Sequence, residues 1–263
     1  MIIWFVDAFS SKPFKGNPAA VCIVESFPEV RLMQNIASEI GYSETAFVMQ
    51  EKGDLNHYKI RWFTPNSEAP LCGHATIAAA HVLIEENHVD AKQEIKFSNN
   101  GIAYHVTQTG SWLNLKFPAF DIVQTSLQDK LSKITQTSPI FVGISENVII
   151  AEFLKSDDIR NCTPDLQLLA RMPYRALIIT SKDLRYDFIS RYFAPRVAID
   201  EDPVCASAHC RLIPYWASKL NKNSMVAYQA SKRGGIIKCI NLKNNVLISG
   251  EAVTILKGKL NII

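Results

Sequence analysis

The chain is patterned in short runs where apolar and β-branched residues crowd together, separated by polar, glycine- or proline-bearing joints. In the first part these runs are Ile2 to Phe9, Ala19 to Val24, Tyr58 to Phe63, Gln93 to Ser98, Trp112 to Phe117 and Val148 to Phe153. Ala176 to Thr180, Phe188 to Phe193, Met225 to Ala230, Gly235 to Ile240, Val246 to Ser249 and Ala252 to Leu256 follow. Such spacing predicts a β-rich fold. Helical periodicity is sparser. Pro28 to Ile40 sets Leu32, Ile36 and Ile40 on one face and stops at Gly41, and Thr163-Pro164-Asp165 reads as an N-cap with proline at the first helical position. Two more helices are predicted after Cys72 and Cys205, over Thr76 to Glu86 and Ala208 to Leu220.

Those last two helices belong to an internal repeat. Glu68-Ala69-Pro70-Leu71-Cys72-Gly73-His74-Ala75 matches Glu201-Asp202-Pro203-Val204-Cys205-Ala206-Ser207-Ala208 in register at Glu, Pro, an aliphatic residue, Cys, a small residue and Ala. Upstream, Phe63-Thr64-Pro65 mirrors Phe193-Ala194-Pro195. Each copy runs strand, turn, Pro, Cys and Ala-rich helix, which predicts two pseudo-symmetric β-rich domains, each wrapped on one central helix. Two long copies are too few for a solenoid. The boundary is placed at 118/119, giving domains 1–118 and 119–263, with the last strand free to pack back on the first domain and the polar stretch Gln124 to Thr137 as crossover.

Composition narrows the function classes. The 28 basic and 25 acidic residues are well mixed, so the net charge of +3 comes with no polybasic patch and nucleic acid is not an expected partner. Six apolar residues precede Asp7 without a basic lead-in, too few for a signal peptide or a membrane span, so the expectation is a cytoplasmic protein with no membrane partner. The six cysteines, at 22, 72, 162, 205, 210 and 239, lack the close pairing of a disulfide scaffold and are expected as free thiols.

Cys72 and Cys205 stand where a helix begins, beside free backbone N–H groups and the positive end of the helix dipole. Both favour thiolate, and the same N–H groups suit a carboxylate or enolate oxygen. The plainer alternative is that both are small buried fillers. His74 and His209 follow these cysteines closely; His74 is read as a proton carrier and His209 as a packing residue. A zinc site of Cys72, His74, Cys205 and His209 is conceivable, but neither spacing matches a known ligand pattern, so no metal is expected. Glu44, in the joint Gly41-Tyr42-Ser43-Glu44-Thr45, and Asp202, next to Pro203, carry no chemical signature alone.

Five segments in order resemble the phenazine-biosynthesis PhzF-like family over nearly the whole chain. They are Val6-Asp7-Ala8-Phe9 with Phe14 to Val21; Ser43-Glu44-Thr45-Ala46-Phe47; Phe63-Thr64-Pro65 with Cys72-Gly73-His74-Ala75-Thr76; Phe193-Ala194-Pro195 with Glu201-Asp202-Pro203-Val204; and Ser207-Ala208-His209 with Pro214-Tyr215-Trp216. Tyr228-Gln229 followed by Arg233-Gly234-Gly235 is similar to the family's closing motif. The resemblance implies an α+β, diaminopimelate epimerase-like fold of two β-barrel-like halves, a homodimer, and no metal or organic cofactor. It further implies a proton-moving isomerase with Glu44 as the catalytic carboxylate, His74, Asp202 and Ser207 at the other polar positions, and Asn17, Gly73 and Ala206 at substrate-binding positions. Cys205-Ala206 stands where the family commonly has Thr-Gly, and Ala230 where glycine is usual.

Three functions follow as expectations. The first is a cofactor-independent isomerase that moves a proton on a small carboxylate-bearing metabolite, cyclic or open-chain, through Glu44. The second is an amino-acid racemase or epimerase with Cys72 and Cys205 as a two-base pair. The third is a silent module that binds a small ligand or a protein.

Overall fold

The computed structural model describes residues 1–262. The chain forms two compact units, Met1–Lys116 joined by the chain from Ser249, and Phe117–Ile248.

In the first unit Ile2–Ala8 runs antiparallel between Asn17–Val24 and the late strand Ala252–Lys259, with Ala8 opposite Asn17 on one side and Ala252 on the other. Asn17–Val24 then pairs parallel with Glu44–Gln50. A parallel pair needs a crossover, and the Val30–Ile40 helix supplies it. Its Met33, Ile36 and Ala37 are buried, and it ends at Gly41 (φ 68°), whose left-handed backbone lets its N–H reach the Ala37 carbonyl at 3.1 Å. Glu44–Gln50 runs antiparallel to His57–Phe63, which in turn pairs with the two-residue strand Glu68–Ala69. After the Gly73–Glu85 helix, Ile95–Asn99 returns parallel to His57–Phe63 and continues antiparallel into Ile102–Thr109. That helix is apolar all round (Ala75, Ile77, Ala78, Ala79, Ala80, Val82, Leu83 are buried), as expected of a helix enclosed by strands.

The second unit repeats this order. Phe141–Ser145 is antiparallel to Val148–Glu152, which is parallel to Ala176–Lys182, itself antiparallel to Phe188–Ala194. Phe188–Ala194 pairs with Ile199–Asp202, and after the Ala206–Leu220 helix it pairs parallel with Ser224–Gln229, followed by antiparallel Gly235–Asn241. Pro214 sits inside the helix and has no N–H for the Cys210 carbonyl. That carbonyl instead accepts from the Phe120 N–H at 3.0 Å, so the missing bond is replaced from outside the helix. Trp216 stacks on Phe188 (5.7 Å between ring centres) and donates its indole N–H to Thr180 Oγ1 at 3.0 Å.

Several local expectations need correction. Thr163 is not the cap of the short Leu166–Ala170 helix; Asp165 is, because its carboxylate accepts the Leu168 N–H at 2.9 Å. Both central helices begin two or three residues early, at Gly73 and Ala206, directly after their cysteines. The polar stretch after Gln124 holds a helix, Gln128–Thr135, anchored by buried Leu131 and Ile134. Ile102–Thr109 and Ile199–Asp202 are strands that the apolar pattern missed, because their outward residues are polar. All six cysteines are free thiols. Among the described residues no helix is long and apolar enough to cross a membrane.

Candidate active site

In the first unit three backbone devices deliver four side chains to one spot. The Asp7 carboxylate accepts the Phe14 N–H at 2.7 Å, closing the loop between the first two strands. Gly16 (φ 67°) completes the turn, and a Cβ there would collide with the Ala8 carbonyl. This sets Asn17 fully buried at the head of its strand. The left-handed Gly41 ends the crossover helix so that Glu44 opens the neighbouring strand. Cys72, in extended backbone (φ −144°, ψ 112°), caps the central helix and places His74 in its first turn.

His74 is the hub of these residues. Its Nδ1 lies 3.2 Å from Asn17 Nδ2 and 3.4 Å from Cys72 Sγ, and its Nε2 lies 3.3 Å from Glu44 Oε2. The Ser43 hydroxyl donates to Asn17 Oδ1 at 3.5 Å. With the Asn17 amide as donor, Nδ1 is an acceptor and the ring proton sits on Nε2, the nitrogen nearer the Glu44 carboxylate. Burial pushes the His74 pKa down to about 3, so the ring stays neutral and Nε2–H is a hydrogen-bond donor rather than a charge.

In the second unit Asp202 Oδ1 accepts the Val204 N–H at 3.1 Å across Pro203. Cys205 Sγ lies 3.2 Å from Ser207 Oγ, and the fully buried Gln229 clasps the turn, its Oε1 accepting the Cys205 N–H at 2.9 Å and its Nε2 donating to the Asp202 carbonyl at 2.7 Å. Ala206 is buried directly behind the cysteine. Burial, with the Asp202 charge adding to it, pushes the Cys205 thiol well above its ordinary pKa, outweighing the helix dipole. His209 packs as expected, with Nδ1–H donating to the Cys205 carbonyl at 2.8 Å and its ring against Phe188. Burial lowers its pKa to about 4.

The structure thus gathers Asn17, Glu44, Cys72 and His74 in the first unit, with Gly73 between the last two, and Asp202, Cys205, Ala206 and Ser207 in the second. Sequence reasoning missed two supports. One is Gln229. The other is a bidentate ion pair found in both copies: Arg61 to Glu68 at 2.8 and 2.6 Å, and Arg191 to Glu201 at 2.6 and 2.9 Å. Each guanidinium also lies over a phenylalanine of its own strand, Phe63 at 5.3 Å and Phe193 at 4.9 Å. The signal was present, since Arg61-Trp62-Phe63 and Arg191-Tyr192-Phe193 extend the repeat upstream by an Arg–aromatic pair.

Comparison with known proteins decides the family. Residues 6–258 match the phenazine biosynthesis-like protein family. An uncharacterized isomerase of Halalkalibacterium halodurans is 42% identical over 261 residues, covering 98% of this chain and 97% of the relative. The chain belongs to the PhzF-like family. Another member, an uncharacterized isomerase of Pseudomonas aeruginosa, is 43% identical over 257 residues, with 98% and 97% of the two chains covered. The crystal structure of a PhzF-family protein from Enterococcus faecalis superposes with a TM-score of 0.95 at 35% identity, covering 99% of each chain. A probable proline racemase from Agrobacterium radiobacter, 8% identical with a TM-score of 0.67 over 100% of this chain and 93% of its own, shares the epimerase-type fold alone. The protein is therefore an isomerase of the PhzF-like family with an α+β, epimerase-like fold, and the silent-module alternative falls away.

Proposed function

We propose that this isomerase moves a proton on a small carboxylate-bearing metabolite, with Glu44 as the group that takes the proton and gives it back. The observation that carries this is the 3.3 Å approach of His74 Nε2 to Glu44 Oε2, with Asn17 on the other ring nitrogen. A neutral imidazole held in one tautomer stands beside the carboxylate without neutralising it. Glu44 removes a proton from a carbon activated by the neighbouring carboxyl group and returns it to the same or another carbon. The first-turn N–H groups after Cys72 suit the charge that develops on oxygen. Within the second unit, Asp202 and Ser207 are proposed as polar functional groups with Ala206 as the small residue between them in the chain, as Gly73 is between Cys72 and His74 in the first.

The two-cysteine reading has less support. It requires one thiolate and one thiol that exchange states, and Cys205 is held as a thiol by burial and by Asp202. The deciding experiment is a screen of small cyclic and amino-acid carboxylates in deuterated water, read by mass and optical rotation. Label uptake with constitutional change supports the proton shift; label uptake with inversion, lost in both Cys→Ser variants and kept in Glu44→Gln, overturns it.

A further inference from the structure

We infer that the cavity beside Arg61, in the first unit, is a binding site for a small zwitterion with an apolar body, such as a free aromatic amino acid, held by its carboxylate on the arginine. The cavity measures about 520 Å³, a size typical of small-molecule sites, and its lining shares no residue with the cluster of Asn17, Glu44, Cys72 and His74. Phe27, Ile60, Arg61 and Glu68 line it, together with the ion pair between Lys59 and Glu51 at 2.8 Å.

The internal repeat carries the assignment. A guanidinium holds five N–H groups in one plane. Arg61 and Arg191 both use Nε and Nη2 on a carboxylate, that of Glu68 or of Glu201. Arg191 then gives its Nη1 to the Ile159 and Cys162 carbonyls at 3.2 and 2.6 Å. Arg61 has no protein partner for Nη1 among the described residues and lines the cavity instead. Its guanidinium carbon lies over the rings of Phe27 and Phe63, at 5.8 and 5.3 Å, and these cation–π contacts hold its plane. What is left to a ligand is the edge formed by Nη1 and the second Nη2 hydrogen. A carboxylate brings two oxygens to that edge, as two carbonyls come to Arg191 in the other copy.

The charges of the lining select the rest of the ligand. Lys59 and Arg61 are each already paired, with Glu51 and Glu68. A bare carboxylate therefore adds an unmatched negative charge beside two others, whereas an α-ammonium group cancels it and meets Glu68, whose side chain is 34% exposed. Phe27 and Ile60 take the apolar body, and an aromatic one stacks on Phe27. The second copy takes no such ligand, because the chain's own carbonyls fill the corresponding edge of Arg191. None of this depends on the role proposed for Glu44.

The test uses the full-length protein labelled with nitrogen-15 and three probes: L-phenylalanine, 3-phenylpropanoate without the ammonium, and 2-phenylethylamine without the carboxylate. The Arg61 Nε–H resonance, assigned by its loss in Arg61→Lys, should shift saturably with L-phenylalanine while that of Arg191 stays in place. The amine should leave both unmoved. 3-Phenylpropanoate should bind ~10-fold or more weakly than L-phenylalanine to the wild type, the range of one hydrogen bond to a charged group, and the two should bind alike to Glu68→Gln. Calorimetry should show L-phenylalanine weakened ~10-fold or more by Arg61→Lys, which keeps the charge but loses the planar fork. Phe27→Ala, which leaves the fork intact, should also weaken it, each variant being checked for wild-type circular dichroism. An Arg61 resonance unmoved up to the solubility limit of L-phenylalanine, an equal shift at Arg191, or affinity unchanged in both Arg61→Lys and Phe27→Ala overturns the site. Equal wild-type affinity for 3-phenylpropanoate overturns the zwitterion as its ligand.

Discussion

The two helix starts share a backbone design and differ in chemistry. In each, an Arg–Glu fork ties a strand to the segment that follows it, a proline turns the chain, and an extended cysteine whose sulfur makes no capping bond to the helix backbone stands at the N-cap of an Ala-rich helix. At Cys72 the next polar side chain is a neutral histidine touching a carboxylate and an amide. At Cys205 it is a serine, and the neighbouring amide of Gln229 is used up in holding the turn itself. At the first start an imidazole and a carboxylate stand side by side; at the second an amide clasps the turn and burial raises the pKa of the thiol. A repeated frame thus carries a His–Glu–Asn cluster in one copy and an amide-clasped turn in the other.

The strongest way to break this contrast is catalytic. Glu44→Gln should lower turnover of an identified substrate by ~10²- to 10⁴-fold with unchanged melting, the range a positioned acid/base group contributes, whereas Gln229→Glu should act mainly on stability. Comparable losses in turnover from both, at equal stability, would sink the division of labour.

A second test compares the forks. Arg191 also donates to the Ile159 and Cys162 carbonyls at 3.2 and 2.6 Å and is 13% exposed, against 26% for Arg61. Arg191→Ala should therefore cost about 3 kcal/mol in urea denaturation, because it strands a carboxylate and two carbonyls. Arg61→Ala should cost about 1 kcal/mol, nearer a surface pair. Equal costs would mean that the extra carbonyl bonds contribute nothing.

Thiol chemistry sharpens the same point. Cys205 should react with iodoacetamide at neutral pH on the order of 10²-fold more slowly than a free cysteine, since little thiolate forms there. Mass spectrometry of the modified peptide measures it, and labelling at the free-cysteine rate would show that burial does not hold the proton.

The smallest effect should be common to both copies. His74 and His209 are depressed by burial to about 3 and about 4. Below pH ~6.5 the unfolded chain takes up their protons while the folded chain does not, so the stability they permit is complete above that pH and lost as pH falls toward 4 and 3. Near pH 5 each should contribute a slope of about 1.4 kcal/mol per pH unit. His74→Gln and His209→Gln should each remove about one proton's worth of that slope in denaturation series at pH 5 and 6. An unchanged slope would mean that the rings titrate normally.

Much of the frame was legible in the chain because burial leaves periodic traces. Strands buried on one or both faces read as apolar runs, and the Pro–Cys repeat marks two equivalent helices. Where outward residues are polar, as in Ile102–Thr109 and Ile199–Asp202, the trace vanished, because the strand is then held by its neighbours' hydrogen bonds rather than by its own side chains. The cap of the Leu166–Ala170 helix was misread for a related reason: Thr163 and Asp165 are both competent caps, and only the backbone path decides which one meets an unpaired N–H.

The residues of the first cluster were nameable from motifs, but their joint chemistry was not. Asn17, Glu44 and Cys72 lie far apart in sequence, and only the pairing of two strand heads beside one helix start brings them around His74. The protonation states also belong to the tertiary structure. Sequence placed a cysteine at a helix start and so favoured thiolate, a local dipole effect; folding added burial and the Asp202 charge, both of which act against the anion and together exceed it at Cys205. Periodicity and motif are properties of the chain, whereas solvation and the meeting of distant side chains exist only once the chain has closed on itself.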